Sequence, residues 1–253
     1  LIGAVIIFIV IKSFNRTSEV TPDEDFEESL IATKFIPLEN DSVEVFSHNR
    51  KWRDYSGNRY SGEFNVRTQD YQSSKSFHKN VKIRTQNTWK ELYTKVAQED
   101  SQKLDLILKE FYYIYKSNQL NQKEFAEMVV SFVQDIPYAL VFQGECLDPD
   151  AYEKSIKEVL EDCPECCIGN KRFGIQTPIE FLSNLKGDCD TRTILIFTIL
   201  KHFGYDVAIL NSDFYLHSVI GIALPSTGIN KTYKGKKYYL WETTNKYYEI
   251  SQS

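Results

Sequence analysis

Lys186-Gly187-Asp188-Cys189-Asp190 runs straight into the apolar residues 193–203, and the reading of the chain turns on this junction. Ile194, Leu195, Phe197, Thr198, Ile199 and Leu200 make the stretch apolar nearly all round, as a helix buried on every side must be. Asp188 is a residue type that caps a helix start, and Gly204 is the type that ends one. Cys189 is therefore expected at a helix N-terminus. The unpaired N–H groups and partial positive charge there favour thiolate over thiol. An ordinary cysteine, with a pKa near ~8.5, is mostly protonated at neutral pH.

A nucleophilic thiol needs a base, and the chain has only four histidines. His202 follows Cys189 on the same helix, nearly four turns away and off its face, so it is out of reach. His48 and His78 lie far upstream in a region that reads as β-rich. His217 falls inside an apolar strand-like segment, residues 215–224, where a histidine wants a polar partner. Tyr215 and Val219 would share its face. Glu242 closes the next apolar run, Leu240-Trp241-Glu242-Thr243-Thr244, and adjacent antiparallel strands bring such side chains within ~5 Å. Taken singly, each of the three is as well explained by packing or surface charge. Together they stand in the order cysteine on a helix start, histidine on a strand, acid on the next strand.

In this order the chain resembles the transglutaminase-like superfamily, the papain-type cysteine enzymes in a circularly rearranged order, in its bacterial membrane-anchored form. The resemblance is carried by Pro178-Ile179-Glu180-Phe181-Leu182, Gly187-Asp188-Cys189-Asp190-Thr191-Arg192, Leu216-His217-Ser218-Val219 and Tyr238-Tyr239-Leu240-Trp241-Glu242-Thr243-Thr244. Phe132-Val133-Gln134-Asp135-Ile136-Pro137-Tyr138 resembles the helix-to-loop segment that precedes the core in many bacterial members. The resemblance spans residues 88–244. It implies an α+β fold, a helical layer with the Cys189 helix packed on an antiparallel sheet. It also implies a Cys189–His217–Glu242 triad that acts on peptide or isopeptide bonds through an acyl-enzyme, with no cofactor and no metal. The family usually has Asp in the third place, and Glu242 is one methylene longer. The runner-up is a catalytically silent module of the same fold that binds a peptide or protein. A third reading, arylamine-type acyl transfer from a thioester donor, lacks any motif for a cofactor pocket. Arg192 is read as balancing Asp190, with a substrate carboxylate as its alternative partner.

The rest of the chain sets the frame. It has 253 residues, 42% of them hydrophobic, enough for a packed core. Thirty Lys and Arg against 35 Asp and Glu leave a net charge of −5, which disfavours nucleic acid as the main partner. Residues 1–11 are an apolar run followed by Lys12 and Arg16, shorter than the ~20 residues a membrane span takes. The run reads as the end of a membrane anchor. A signal-peptide core and a buried strand are the alternatives. The organisation expected is residues 1–12 anchor or signal segment, 13–34 acidic linker, 35–86 β-rich region and 87–253 the transglutaminase-like core, on the extracytoplasmic side. An acidic surface helix is the other reading of the linker.

Residues 35–84 alternate in polarity in short runs, including Val43-Glu44-Val45-Phe46, Gly62-Glu63-Phe64-Asn65-Val66-Arg67 and Val81-Lys82-Ile83-Arg84. Their aromatics, Trp52, Tyr55, Tyr60, Phe64 and Tyr71, suit the core of a small sheet more simply than a ligand face. Helices are expected from Thr88, over residues 101–115, after an Asn121 cap with Glu124 in capping-box position, over 150–161, and over 178–185 behind a Thr177 cap. Four of the five cysteines, Cys146, Cys163, Cys166 and Cys167, crowd together and leave Cys189 apart. Disulfides in an oxidising compartment, a zinc site and free buried thiols are the three readings of this group. Cys166 and Cys167, being adjacent, are not expected to bond each other.

Overall fold

The computed structural model describes residues 31–38, 41–84, 88–212 and 217–244. The apolar N-terminal run and the acidic stretch after it lie outside the described residues, as do Tyr215 and Leu216. Among the described residues no helix is long and apolar enough to cross a membrane.

Strands β1 (Ala32–Leu38), β2 (Asp41–Arg53) and β3 (Arg59–Arg67) form an antiparallel meander. The turn between β2 and β3 is closed by Asp54, which accepts from the Asn58 N–H at 2.9 Å and from the Tyr60 hydroxyl at 2.9 Å. Gly57 takes φ +85°, which a Cβ would strain. Helices α1 (Thr68–Asn80), α2 (Thr88–Ser101), α3 (Asp105–Ser117) and α4 (Gln122–Asp135) follow. The Asn121–Glu124 capping box that opens α4 is complete in both directions. A two-residue parallel ladder, β4 (Leu140–Val141) with β5 (Cys167–Ile168), encloses α5 (Lys154–Asp162). Helices α6 (Pro178–Asn184) and α7 (Cys189–His202) lead into a second antiparallel sheet. Its strands are β6 (Val207–Ser212), β7 (His217–Ile222), β8 (Asn230–Tyr233) and β9 (Lys236–Trp241), in the order β6-β7-β9-β8. The architecture is α+β.

Burial explains the layering. The first sheet presents Trp52, Tyr60, Phe64 and Val66 to α3 and α4. Phe64 and Phe132 meet at a tilt with ring centroids 4.6 Å apart, and Trp52 meets Phe132 edge-on at 5.1 Å. Helix α4 packs in turn on α7, and α7 on β6 and β7. One apolar core therefore runs from the first sheet through the helices to Ile220, Ile222 and Trp241. The aromatics of the upstream region serve that core; Tyr55 alone of the five is exposed. The two sheets share a core without pairing strands.

Two expectations change. The β-rich reading of residues 35–84 holds only as far as Arg67, because residues 68–80 are helical and 81–84 form no strand. Helix α1 buries Ser74 and His78, not an apolar stripe. The Ser74 hydroxyl bonds Asp100 and, at 2.9 Å, Thr177. His78 pairs with Glu180 at 2.7 Å and with the Arg172 carbonyl at 2.9 Å. Residues 150–161 are not one helix: a 3-10 turn at Pro149–Ala151 precedes α5. Of the three readings of the crowded cysteines, the disulfide reading holds: Cys146–Cys167 and Cys163–Cys166 are bonded, leaving Cys189 as the free thiol.

His48, stacked on Phe64 beneath the first sheet, gives a test of this packing. Burial, and then the neighbouring Arg50 charge, lower its pKa from 6.5 to about 3. A histidine depressed in the folded state contributes full stability above its unfolded pKa and loses it as pH falls through the window between the two values. The fold is expected to lose about 2 kcal/mol from this group between neutral pH and pH 5. Denaturant unfolding at the two pH values should show that loss, and His48→Gln should flatten it.

Candidate active site

The site is built at the mouth of α7. Asp188 caps the helix: its Oδ1 accepts from the Thr191 N–H at 3.0 Å. That leaves the Cys189 N–H at the first helical position, free of an intrahelical acceptor. Upstream, α6 is fixed by a Thr177–Glu180 capping box and ends on Leu185 in a left-handed conformation, φ 52°. The chain then turns sharply through Lys186 and Gly187. A Cβ on Gly187 would lie 3.0 Å from the Phe181 ring and 3.0 Å from the Thr191 methyl, so a larger residue would crowd both side chains. The turn lets residue 138 bridge to residue 187 in parallel, with the Ala139 N–H donating to the Gly187 carbonyl at 3.2 Å.

His217 opens β7, and its imidazole acts on the Cys189 thiol, pulling the thiol's pKa down while its own is raised. Its Nε2 lies 2.9 Å from Glu242 Oε2. Strands β7 and β9 pair Ile220 with Trp241. Continued by one residue, that register sets Glu242 opposite Val219 and diagonal to His217 on the same face. A diagonal neighbour is farther than a direct one, and the longer glutamate side chain spans it. The other carboxylate oxygen, Oε1, accepts from the Thr243 N–H at 2.8 Å, the Thr244 N–H at 3.0 Å and the Thr244 hydroxyl at 2.7 Å. His217 and Glu242 are thus hydrogen-bonded to each other, and the Cys189 thiol responds to the same imidazole.

The charges around the thiol compete. Burial pushes the Cys189 thiol up, the His217 hydrogen bond pulls it down, and Asp190 and Asp188 add to the upward push. Burial would lower His217, but Cys189 and Glu242 outweigh it and hold the imidazole up to about 11. Burial would likewise raise Glu242, yet His217, Thr244 and the Thr243 N–H keep it down to about 2. Glu242 is therefore anionic at neutral pH, and His217 is a strong home for the thiol's proton. Asp188 is pushed up to about 7 by burial and by Asp190.

Arg192 does not balance Asp190. It is fully buried, and its guanidinium donates to four backbone carbonyls. Nε bonds Gly187 at 2.8 Å, Nη1 bonds Val133 at 2.8 Å and Thr243 at 3.1 Å, and Nη2 bonds Ile136. Asp190 instead accepts from the Tyr93 hydroxyl at 2.8 Å and from the Ser218 hydroxyl. Sequence reasoning also missed Tyr138. Its ring lies over the Arg192 guanidinium at 5.6 Å, and after burial the charge that most affects its hydroxyl is Cys189. Burial holds that hydroxyl's pKa well above its ordinary value, so it remains an O–H donor. The only sequence signal for it was its place at the end of the Phe132–Tyr138 segment.

Two substitutions test the geometry. Arg192→Leu removes the donor to four buried carbonyls and is expected to cost at least about 3 kcal/mol by denaturant unfolding. Glu242→Gln takes away the anion that supports the imidazolium and should slow iodoacetamide alkylation of Cys189 at pH 7 by about tenfold. An unchanged alkylation rate would show that Glu242 does not act on the pair.

No known protein-family model matches the chain, and no curated protein or solved structure matches it either.

Proposed function

We propose that the protein is a transglutaminase-like cysteine hydrolase or acyltransferase that acts on peptide or isopeptide bonds of a protein or peptide substrate. The observation that carries this reading is the His217–Glu242 hydrogen bond beside Cys189 at the start of α7, whose thiol that imidazole pulls down. Cys189 attacks the carbonyl carbon as thiolate while its proton rests on His217. The C–N bond breaks, His217 delivers the proton to the departing amine, and a thioester remains on Cys189. Water or a second amine then attacks the thioester, gives its proton to His217 and restores the thiol. Glu242 fixes the ring orientation and steadies the imidazolium. The Cys189 N–H is the main-chain donor for the tetrahedral oxyanion, and the Tyr138 hydroxyl is the side-chain donor.

The two disulfides suit an oxidising, extracytoplasmic setting for this chemistry. The helix–sheet arrangement of α7 on β6 and β7 is the part of the α+β fold that we assign to the transglutaminase-like core.

One observation favours the silent binding module instead: Cys189 is only 7% exposed, and its thiol is held up by burial. A thiol probe separates the two. Catalysis requires labelling faster than a model thiol and dependent on His217, whereas the silent module predicts neither. Incubation with a peptide library, with and without added amine, followed by mass spectrometry, distinguishes cleavage, deamidation and cross-linking by their mass changes. Turnover is expected to vanish in Cys189→Ala. In Tyr138→Phe it should fall by about tenfold to a thousandfold, with thiol labelling unchanged. A Tyr138→Phe variant with full turnover removes Tyr138 from the mechanism.

A further inference from the structure

Cys189 and His217 each have a chain neighbour that contacts the other's neighbour. Asp190 follows Cys189 on α7, and Ser218 follows His217 on β7; the Ser218 hydroxyl donates to Asp190 Oδ1. The Cys189–His217 contact and the Asp190–Ser218 contact are therefore adjacent rungs between the same helix turn and the same strand. Two further side chains close the second rung into a ring. The Tyr93 hydroxyl from α2 donates to the same Asp190 oxygen at 2.8 Å. Asn211 Nδ2 from β6 donates to Ser218 Oγ at 2.9 Å and to Tyr93 Oη at 3.1 Å.

The ring is buried where it matters. Ser218 is fully buried and Tyr93 nearly so. It links α2, α7, β6 and β7, the elements that surround the thiol–imidazole pair. Hydrogen bonds to a carboxylate are stronger than neutral ones, and they are directional. The start of α7 and the start of β7 thus acquire a fixed offset. That offset has a charge penalty, because Asp190 pushes the Cys189 thiol up.

We propose that Asp190 is a positioning residue for the Cys189–His217 pair, acting through Ser218, with Tyr93 and Asn211 completing its seat. The proposal rests on the reading of Cys189 and His217 as a nucleophile and its base, and it deepens that reading. The titratable groups around the pair are His217 and Glu242 from the sheet side, Asp188, Asp190 and Arg192 from α7 and its cap, and the protonated hydroxyls of Tyr138 from the segment after α4 and Tyr93 from α2. Two signatures separate position from charge. Removing the hydrogen bonds loosens the pair. Removing only the charge leaves the bonds and makes the thiolate easier to form.

The experiment is iodoacetamide alkylation of the intact chain across pH 5 to 9, with thermal unfolding of every variant alongside. His217→Ala sets the rate of an unassisted thiol. Asp190→Ala and Ser218→Ala are expected to fall about tenfold at pH 7, towards that rate. Asp190→Asn keeps an acceptor oxygen and is expected to retain the plateau rate while its acid limb moves to lower pH. Tyr93→Phe, which removes one hydroxyl and should fold normally, is expected to fall a few-fold. Wild-type rates and profiles in Ser218→Ala and Tyr93→Phe overturn the proposal. So does identical behaviour of Asp190→Ala and Asp190→Asn, which would leave only a charge effect. If His217→Ala itself alkylates like the wild type, the reading of the pair fails and this proposal with it. If His217→Ala slows and the ring variants do not, only the proposal fails.

Discussion

One buried guanidinium holds the site together. Arg192 sits one turn into α7 and donates to the carbonyls of Gly187, Val133, Ile136 and Thr243. Those carbonyls belong to three separate stretches: the turn before Cys189, the end of α4 and the segment after β9. Two of them lie at a helix C-terminus, where carbonyls lack intrahelical partners and a cation is favoured. Burial lowers the guanidinium from 12.5 to about 10, so it is charged at neutral pH, and the ionised Glu242 is a neighbouring anion. The same C-terminus of α4 is held from two other sides. Gln134 donates to the Glu242 carbonyl at 2.7 Å, and Asp135 pairs with the buried Arg50 of β2. The acid of the candidate triad and the helix that starts with the thiol thereby refer to one anchor.

This explains how the site keeps its charges in a poorly solvated place. Asp188, Asp190 and Glu242 crowd a buried thiol, and burial raises each carboxylate unless it finds donors. Asp188 has the helix N–H of Thr191, Asp190 has two hydroxyls, and Glu242 has the imidazole together with the Thr243–Thr244 donors. Glu242 is held well down, whereas Asp188 is pushed up. The result is an asymmetry: the carboxylate farthest along the line is firmly ionised, while those beside the thiol oppose its ionisation. Electrostatics alone would leave Cys189 protonated, and the imidazole contact is what counters it.

The junction at Cys189 was legible because each of its parts has a local signal. The Asp188 cap, the apolar face and Gly204, at φ +81°, all act within a few residues. The Asn121 and Thr177 boxes are legible for the same reason. Helix α1 was not, because its buried face is polar. Ser74 and His78 lie four residues apart and face Asp100, Thr177 and Glu180, so hydrophobic periodicity has nothing to register. Strand β8, with its exposed Lys231, Thr232 and Tyr233, has no buried face that alternation could reveal. The β4–β5 ladder is two residues long and depends on the Cys146–Cys167 staple between distant positions.

The sequence by itself determined that a lone cysteine begins a buried helix, that four others stand apart from it, and that a histidine and a glutamate follow on strand-like segments in that order. These are properties of local spacing, and local physics fixes them. Tertiary structure alone decided which partner each charge takes. Arg192 reaches four carbonyls and not the nearby Asp190, Asp190 turns to Tyr93 and Ser218, and Tyr138 comes to lie over the guanidinium of Arg192, some fifty residues later in the chain. A buried donor or acceptor must be satisfied by whatever the packing brings within about 3 Å. That set is a property of the folded layers, and no window of sequence contains it.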